Sequence, residues 1–171
     1  IVRRGGMAAL TARSLAAELG SSAKPVFGLF ENMQEVQDEV VRAANAEYQS
    51  FLRAEMMRGA YPPYKASGMA YIAFARQEKE LFKLLFMRDR TEEDSETEDE
   101  SIDGIIALIS RNTGLSNEDA RLFHLEMWIF VHGIATMIVT GYLDWEEEYV
   151  SRTLTDVYEG LKARWCGGNG K

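Results

Sequence analysis

Leu10-Thr-Ala-Arg-Ser-Leu-Ala-Ala-Glu-Leu-Gly-Ser-Ser-Ala-Lys-Pro-Val-Phe-Gly-Leu-Phe-Glu-Asn-Met-Gln-Glu-Val36 is the stretch that decides the reading of this chain. Thr11 is placed to N-cap a helix over residues 12–19, with Leu15, Ala16 and Leu19 on one face. Gly20 follows where a left-handed residue ends a helix. Ser21 or Ser22 can cap a second short helix, which tolerates Pro25 only in its first turn. Val26 and Phe30 repeat at i, i+4 and are expected to pack against the first helix. Asn32, with Glu35 three residues on, has the form of a capping box opening a third helix. Helix, tight turn and helix make the layout of a helix-turn-helix, which places its second helix in a DNA groove. Two short amphipathic helices joined by Gly-Ser also occur in all-α proteins with no such role, so the pattern alone leaves both readings open.

The rest of the chain bounds the answer. At 171 residues, 46% of them hydrophobic, it can bury a substantial core and is not of disordered composition. A single cysteine, Cys166, rules out a disulfide within the chain and fits a reducing, cytoplasmic setting. There is no signal-peptide pattern. The longest apolar run, residues 127–139, is broken by His132, Gly133 and Thr136, and is shorter than the roughly 20 residues of a membrane span. The net charge of −8 is unevenly spread. Residues 1–46 hold five basic and five acidic side chains, so the excess acid lies beyond the helix-turn-helix. A neutral head is weak support for DNA binding, which draws on phosphate neutralisation.

Helical patterns continue to the C-terminus, with no strand pattern and no repeat. Ile1-Val-Arg-Arg-Gly-Gly has the form of a helix end, and a preceding part of that helix is expected. A long helix is expected from residue 33 to about 59, ended by Tyr61-Pro-Pro-Tyr64. Helices over 67–77, 78–87 and 102–112 follow. Between the last two, Arg88 to Ser101 is nearly all charge and reads as a solvated acidic loop rather than a calcium loop, which would need glycine and alternating ligands. Ser116, with Asp119 three residues on, opens a helix to about 140 that is apolar nearly all round from Met127. A last helix over 145–165 carries Tyr149, Val150, Leu154, Val157, Tyr158, Leu161 and Trp165 as a stripe, with acid at its start and base at its end. Residues 167–170 read as a frayed tail.

On these residues the chain resembles the tetracycline-repressor (TetR/AcrR) family of bacterial regulators. Gly20, Ser22, Phe27, Phe30, Asn32, Glu35 and Val36 fall without a gap on the positions of that family's helix-turn-helix. Met33 stands where the family often has lysine, Gly28 and Leu29 replace two polar or aromatic positions, and Phe27 replaces a tyrosine that could hydrogen-bond a phosphate. The passage Met69-Ala-Tyr-Ile-Ala-Phe-Ala-Arg-Gln-Glu-Lys-Glu-Leu-Phe-Lys-Leu-Leu-Phe86 is similar to one in a subgroup of the family. Trp128-Ile-Phe-Val-His132-Gly133 matches that subgroup's Trp-x-x-x-His-Gly signature, from which its regulatory domain is named.

The resemblance implies an all-α fold in two parts: a helix-turn-helix DNA-binding domain over residues 1–46, its first helix truncated, and an effector-binding and dimerisation domain over 47–171. It implies a cytoplasmic, homodimeric regulator, a repressor, that binds a palindromic double-stranded DNA operator and is released by a small apolar or aromatic effector. The expected DNA contacts are Thr11 and Arg13, then Ser21, Ser22, Ala23, Lys24, Pro25, Phe27 and Gly28. The expected effector pocket is Phe74, Phe82, Phe86, Phe123, Met127, Trp128 and His132, with Met137 nearby. The plain reading of those residues is core packing, with His132 hydrogen-bonded and Gly133 admitting a close neighbour helix. The expected dimer interface, on the last two helices, is Ile138, Tyr149, Leu154, Val157, Tyr158 and Leu161.

No catalytic constellation, cofactor motif or metal motif stands out, so no enzyme activity is expected. His124 and His132 share a helical face but lie two turns apart, too far to hold one ion unaided. The alternative reading is a dimeric all-α small-molecule binding protein whose head has lost DNA binding, and it rests on the neutral head, Gly28 and Met33.

Overall fold

Local capping signals set the helix boundaries. In the computed structural model, which describes residues 1–89 and 99–167, Thr11 Oγ1 accepts from Ser14 N at 3.1 Å while Thr11 N donates to Ser14 Oγ at 2.9 Å, closing a capping box. The chain begins with a single helical turn, α1 (Val2–Gly5), followed by a 3₁₀ turn over Met7–Ala9 and the capped helix α2 (Ala12–Leu19). Gly20, at φ 64°, ends α2 with the two backbone bonds of a Schellman motif: Gly20 N to Ala17 O and Ser21 N to Ala16 O.

The second helix of the expected pair is not a regular helix. Residues 24–29 form a run of turns in which Phe27 and Gly28 bond four residues back but Val26 and Leu29 bond only three back. The i→i−4 ladder breaks at Leu29, which bonds Val26 O rather than Pro25 O, directly after Gly28, whose place in a helix interior costs about 1 kcal/mol relative to alanine. Neither serine caps it: Ser21 Oγ donates to Ser22 O instead.

Helix α3 (Met33–Met57) opens on Asn32, whose Oδ1 accepts from Glu35 N at 3.0 Å. Glu35 reaches back one residue further than in a standard box, accepting from Glu31 N at 2.6 Å. Then come α4 (Pro63–Gln77), α5 (Lys79–Phe86), α6 (Asp99–Thr113), α7 (Asn117–Val139) and α8 (Glu147–Gly167). Helix α4 starts four residues before the position expected from the sequence, because Pro63 sits at N1, where its missing N–H costs nothing. Ser116 caps α7 by accepting from Asp119 N. No strand occurs among the described residues. The acidic run at 92–98 and the tail from 168 lie outside the described residues.

Helix α4 is the centre of the packing and touches α3, α5, α6, α7 and α8. Its buried residues, Ala66, Met69, Ala70, Tyr71, Ile72, Phe74 and Ala75, face more than one neighbour. The close approach to α7 and α8 happens at Gly68, where a Cβ would lie 3.4 Å from Val131 Cγ2 and 3.8 Å from Leu154 Cδ1. The sequence pointed instead to Gly133 for this role. A Cβ there would meet nothing within 4 Å, so the expectation is corrected: the small residue needed for close packing is on α4. By length and composition α7 could cross a membrane, with a mean hydropathy of 1.6. Here its buried residues, among them Ala120, Phe123, Met127, Val131, Ile134 and Ala135, pack as a core helix.

Two hydrogen bonds pin α4 to α7. Tyr64 Oη lies 3.0 Å from His124 Nδ1, and Tyr71 Oη lies 2.9 Å from His132 Nδ1. Both pairs advance in the same direction along the chain, so α4 and α7 run parallel with a register fixed at two points about two turns apart. Burial holds both imidazoles below their ordinary pKa and pushes both tyrosine hydroxyls above theirs.

Two expectations follow from this packing. Phe82 has no exposed surface, and Phe82→Ala should destabilise the fold by about 3–5 kcal/mol, measured by urea denaturation. Because the folded histidines have lowered pKa values, the unfolded chain binds protons first as pH falls. Their stabilisation is therefore intact above about pH 7 and is lost progressively below about pH 6.5. The thermal midpoint followed by circular dichroism should drop between about pH 7 and about pH 5, and less steeply in the His124→Gln/His132→Gln double variant.

Candidate functional site

The segment from Thr11 to Phe30 is built in two faces. Its inner face is apolar: Leu10 and Val36 are buried, and Leu15, Val26 and Phe30 pack partly buried against the same hydrophobic cluster that fills the rest of the chain. Its outer face carries Thr11, Arg13, Ser21, Ser22, Lys24, Pro25, Phe27 and Gly28, all exposed, with Ala23 half-buried. The expected DNA-contact residues thus lie on one short unit and, Ala23 apart, face solvent. Leu29, not among them, is 82% exposed between Gly28 and the inward Phe30.

Charge on this unit divides into two sets. Arg3 pairs with Glu47 and Glu78, Arg4 with Glu18, and Arg42 with Glu39. Arg13 and Lys24 have no ion-pair partner among the described residues. The two cations of the segment from Thr11 to Phe30 therefore have no such pair, while the arginines beside it are neutralised within the protein.

The residues expected to enclose an effector fall into two groups. Phe74, Phe82, Phe86, Trp128 and His132 belong to one aromatic cluster. Phe82 and Phe86 have ring centroids 4.9 Å apart, Trp128 stacks on His132 at 4.9 Å and 15°, and Phe82 also stacks with His132 at 6.1 Å and 26°. Sequence reasoning missed two members, Tyr48 and Tyr71. Tyr48 lies 5.0 Å from both Phe74 and Phe86, and Tyr71 lies 5.2 Å from Phe82. Tyr48 lies in the helix expected over residues 33–59 and Tyr71 in the passage from Met69 to Phe86, but nothing in either stretch marks them as site residues. Phe123 is elsewhere, edge-on to Tyr158 at 5.5 Å, beside the Tyr64–His124 pair, and Met127 is buried on α7. Phe74, Phe82 and Phe123 are wholly buried against neighbouring rings.

Two openings lie apart from those rings. One, of about 200 Å³, runs along α4 between the last turn of α3 and the first turn of α8, with Arg58, Tyr61, Ala70, Ala73, Arg76 and Glu147 in its wall. The other, of about 350 Å³, lies between Met7, Gln37, Asp38 and Val41 on one side and Glu80, Lys83 and Leu84 on the other. In the aromatic cluster only Trp128 reaches the surface substantially, at 43% exposure.

The expected dimer residues differ widely in exposure. Ile138 and Leu154, 2% and 3% exposed, lie inside the chain's own core and present no surface to a partner. Val157, Tyr158 and Leu161 are half-buried, and Tyr158 is engaged by Tyr64 and Phe123. Only Tyr149 is openly exposed. The apolar surface lies instead on α7, where Leu122, Leu125 and Ile129 are 48%, 50% and 59% exposed at i, i+3, i+7 spacing. The all-round apolarity of α7 was the sequence signal, but it does not say which face turns outward.

Comparison with known proteins bears on this arrangement. The family model described as the tetracyclin repressor-like, C-terminal domain matches residues 64–158, from the first turn of α4 into α8. No curated protein compared with the chain matches it. The family match covers more than half of the sequence and takes in α4, α5, α6, α7 and much of α8, including both tyrosine–histidine pins. The chain belongs to the tetracyclin repressor-like family.

Proposed function

We propose that this protein is a one-component transcriptional regulator: a homodimeric repressor that binds a palindromic operator through residues 11–28 and is released by a small apolar or aromatic effector. The observation that carries the reading is the pair of unengaged cations, Arg13 and Lys24, on the exposed face of a helix-turn-helix unit whose neighbouring arginines are all internally paired. Free guanidinium and ammonium groups are what phosphate contacts need, and most of the affinity for DNA comes from such contacts. The hydroxyls of Thr11, Ser21 and Ser22 add donors for the backbone. Ala23 and Gly28 keep the surface low enough for close approach, and Pro25 and Phe27 can meet thymine methyl groups.

The dimer in this reading uses the α7 stripe of Leu122, Leu125 and Ile129, joined by Tyr149, Val157 and Leu161 of α8. A twofold partner would cover apolar surface that is otherwise open to water. The effector, a flat apolar molecule, would enter at Trp128, displacing its indole from the His132 face and taking its place in the stack with Phe82. Such binding would favour a core arrangement in which α3 tilts, moving the two heads out of step with the operator half-sites. The protein would work in the cytoplasm, with no enzyme activity, cofactor or membrane partner.

A second reading, a dimeric small-molecule binding protein whose head no longer contacts DNA, is favoured by the interrupted helix at 24–29 and by Leu29, which puts an apolar side chain on the face a recognition helix would present.

The readings separate on binding of the full-length protein to DNA flanking its own coding region. Arg13→Ala and Lys24→Ala should each weaken binding across all sequences and lower the salt slope by about 1, the change expected when one phosphate is no longer neutralised. Wild-type binding no tighter than to random DNA would favour the second reading. The Leu125→Glu/Ile129→Glu variant should sediment as a folded monomer where the wild type sediments as a dimer, and an unchanged sedimentation coefficient would place the interface elsewhere.

A further inference from the structure

We propose that Arg3 is a latch that sets the angle at which the N-terminal head sits on the core. Its guanidinium reaches two elements at once. Nη2 donates to Glu47 Oε1 at 2.7 Å, and Nε donates to Glu78 Oε2 at 2.9 Å. Glu47 is part of α3, and Glu78 is the single residue between α4 and α5. One side chain therefore ties α1, the long helix that carries the head, and the start of α5.

The contacts around Arg3 divide the work. Val2 and Leu10 are buried and supply the adhesion between head and core. Gly6, at φ 69°, passes so close to α5 that a Cβ would lie 2.8 Å from Glu80 Oε2. Apolar contact is non-directional and does not fix an angle, whereas a planar guanidinium with donors in set directions does. The arginine and Glu47 are about half exposed and Glu78 about a quarter. Ion pairs this open to water contribute little to global stability and are screened by salt, so the latch can release without unfolding the chain.

Helix α5 gives the latch its second connection. Its first residues neighbour Arg3 and Gly6, while Phe82 and Phe86, one and two turns on, sit in the aromatic cluster with Tyr71 and His132. A helix of eight residues moves as one body, so displacing those rings shifts Glu78 and Glu80 and loads the ion pairs. Only the purpose of the head rests on the regulator reading. The attachment of the head to the core, which is the quantity measured, does not depend on DNA binding.

The experiment is amide hydrogen exchange of the full chain in four forms: wild type, Arg3→Gln, Glu47→Gln/Glu78→Gln, and the triple variant. If Arg3 is the latch, Arg3→Gln speeds exchange over residues 2–19 by about three- to fivefold at low salt, with α7 and α8 unchanged. The double variant reproduces this, and the triple variant adds nothing further, because all three changes open one device. At about 0.5 M salt the wild type exchanges like the variants. Unchanged exchange in Arg3→Gln would overturn the proposal. So would acceleration spread equally through α7 and α8, since Arg3 would then be a general fold anchor, and so would additive effects in the triple variant.

Discussion

A hydroxyl and an imidazole that meet in a part-buried contact hold the helices carrying them in one register, because each satisfies the other's hydrogen-bonding group. That constraint applies twice along the α4–α7 contact, at Tyr64–His124 and Tyr71–His132. Apolar side chains alone would let two parallel helices slide by a turn at little cost. Two polar pairs, seven residues apart on one helix and eight on the other, remove that freedom. The rest of the packing follows from this register. Gly68 is brought against Val131 and Leu154, the rings of Phe82 and Trp128 both stack with His132, and Phe123 meets Tyr158.

The parts of the fold that were legible in the sequence are those decided within a few residues. Thr11, Asn32 and Ser116 do what their positions promise, because an N-cap is an interaction between a side chain and a backbone group three residues away, and Gly20 ends α2 through its own left-handed backbone. The family resemblance was legible for the same reason, as it rests on short ordered motifs. The segment after Gly20 was not: a serine cap and an i, i+4 apolar pair argued for a helix, but neither serine caps it and the ladder breaks beside Gly28. The direction in which an element faces was hidden as well. Helix α7 is apolar on nearly all sides, so Ile138 and Ile129 look alike in sequence, yet one is buried in the core and the other lies open to solvent. Which is which depends on α4, more than fifty residues earlier in the chain. Tyr48 and Tyr71 escaped notice as site residues because their role is defined by rings brought together from α3, α4, α5 and α7.

Electrostatics divides the molecule more sharply than composition does. The first 46 residues sum to zero charge, which argues against a nucleic-acid surface if charge is merely counted. Pairing changes where the charge is placed: Arg3, Arg4 and Arg42 are engaged by Glu47, Glu78, Glu18 and Glu39, Arg13 and Lys24 stay available, and the acids of this segment left without an ion pair among the described residues, Glu31, Glu35 and Asp38, follow them around the start of α3. A neutral segment can in this way present a local cationic face while its remaining charges serve internal structure.

The parallel pairing of α4 with α7 also dictates an order of events during synthesis. The partners in the two pins are 60 and 61 residues apart, and α5 and α6 must be made before α7 exists. Until then Met69, Ile72 and Phe74 of α4 have only α3, α5 and α6 to cover them. At roughly 5–20 residues per second, the ribosome leaves the centre of the molecule incompletely wrapped for seconds, the interval in which apolar surface recruits chaperones or other nascent chains. The head and α3 emerge first and can form their local caps in that time, so the chain acquires its outermost unit before its innermost one.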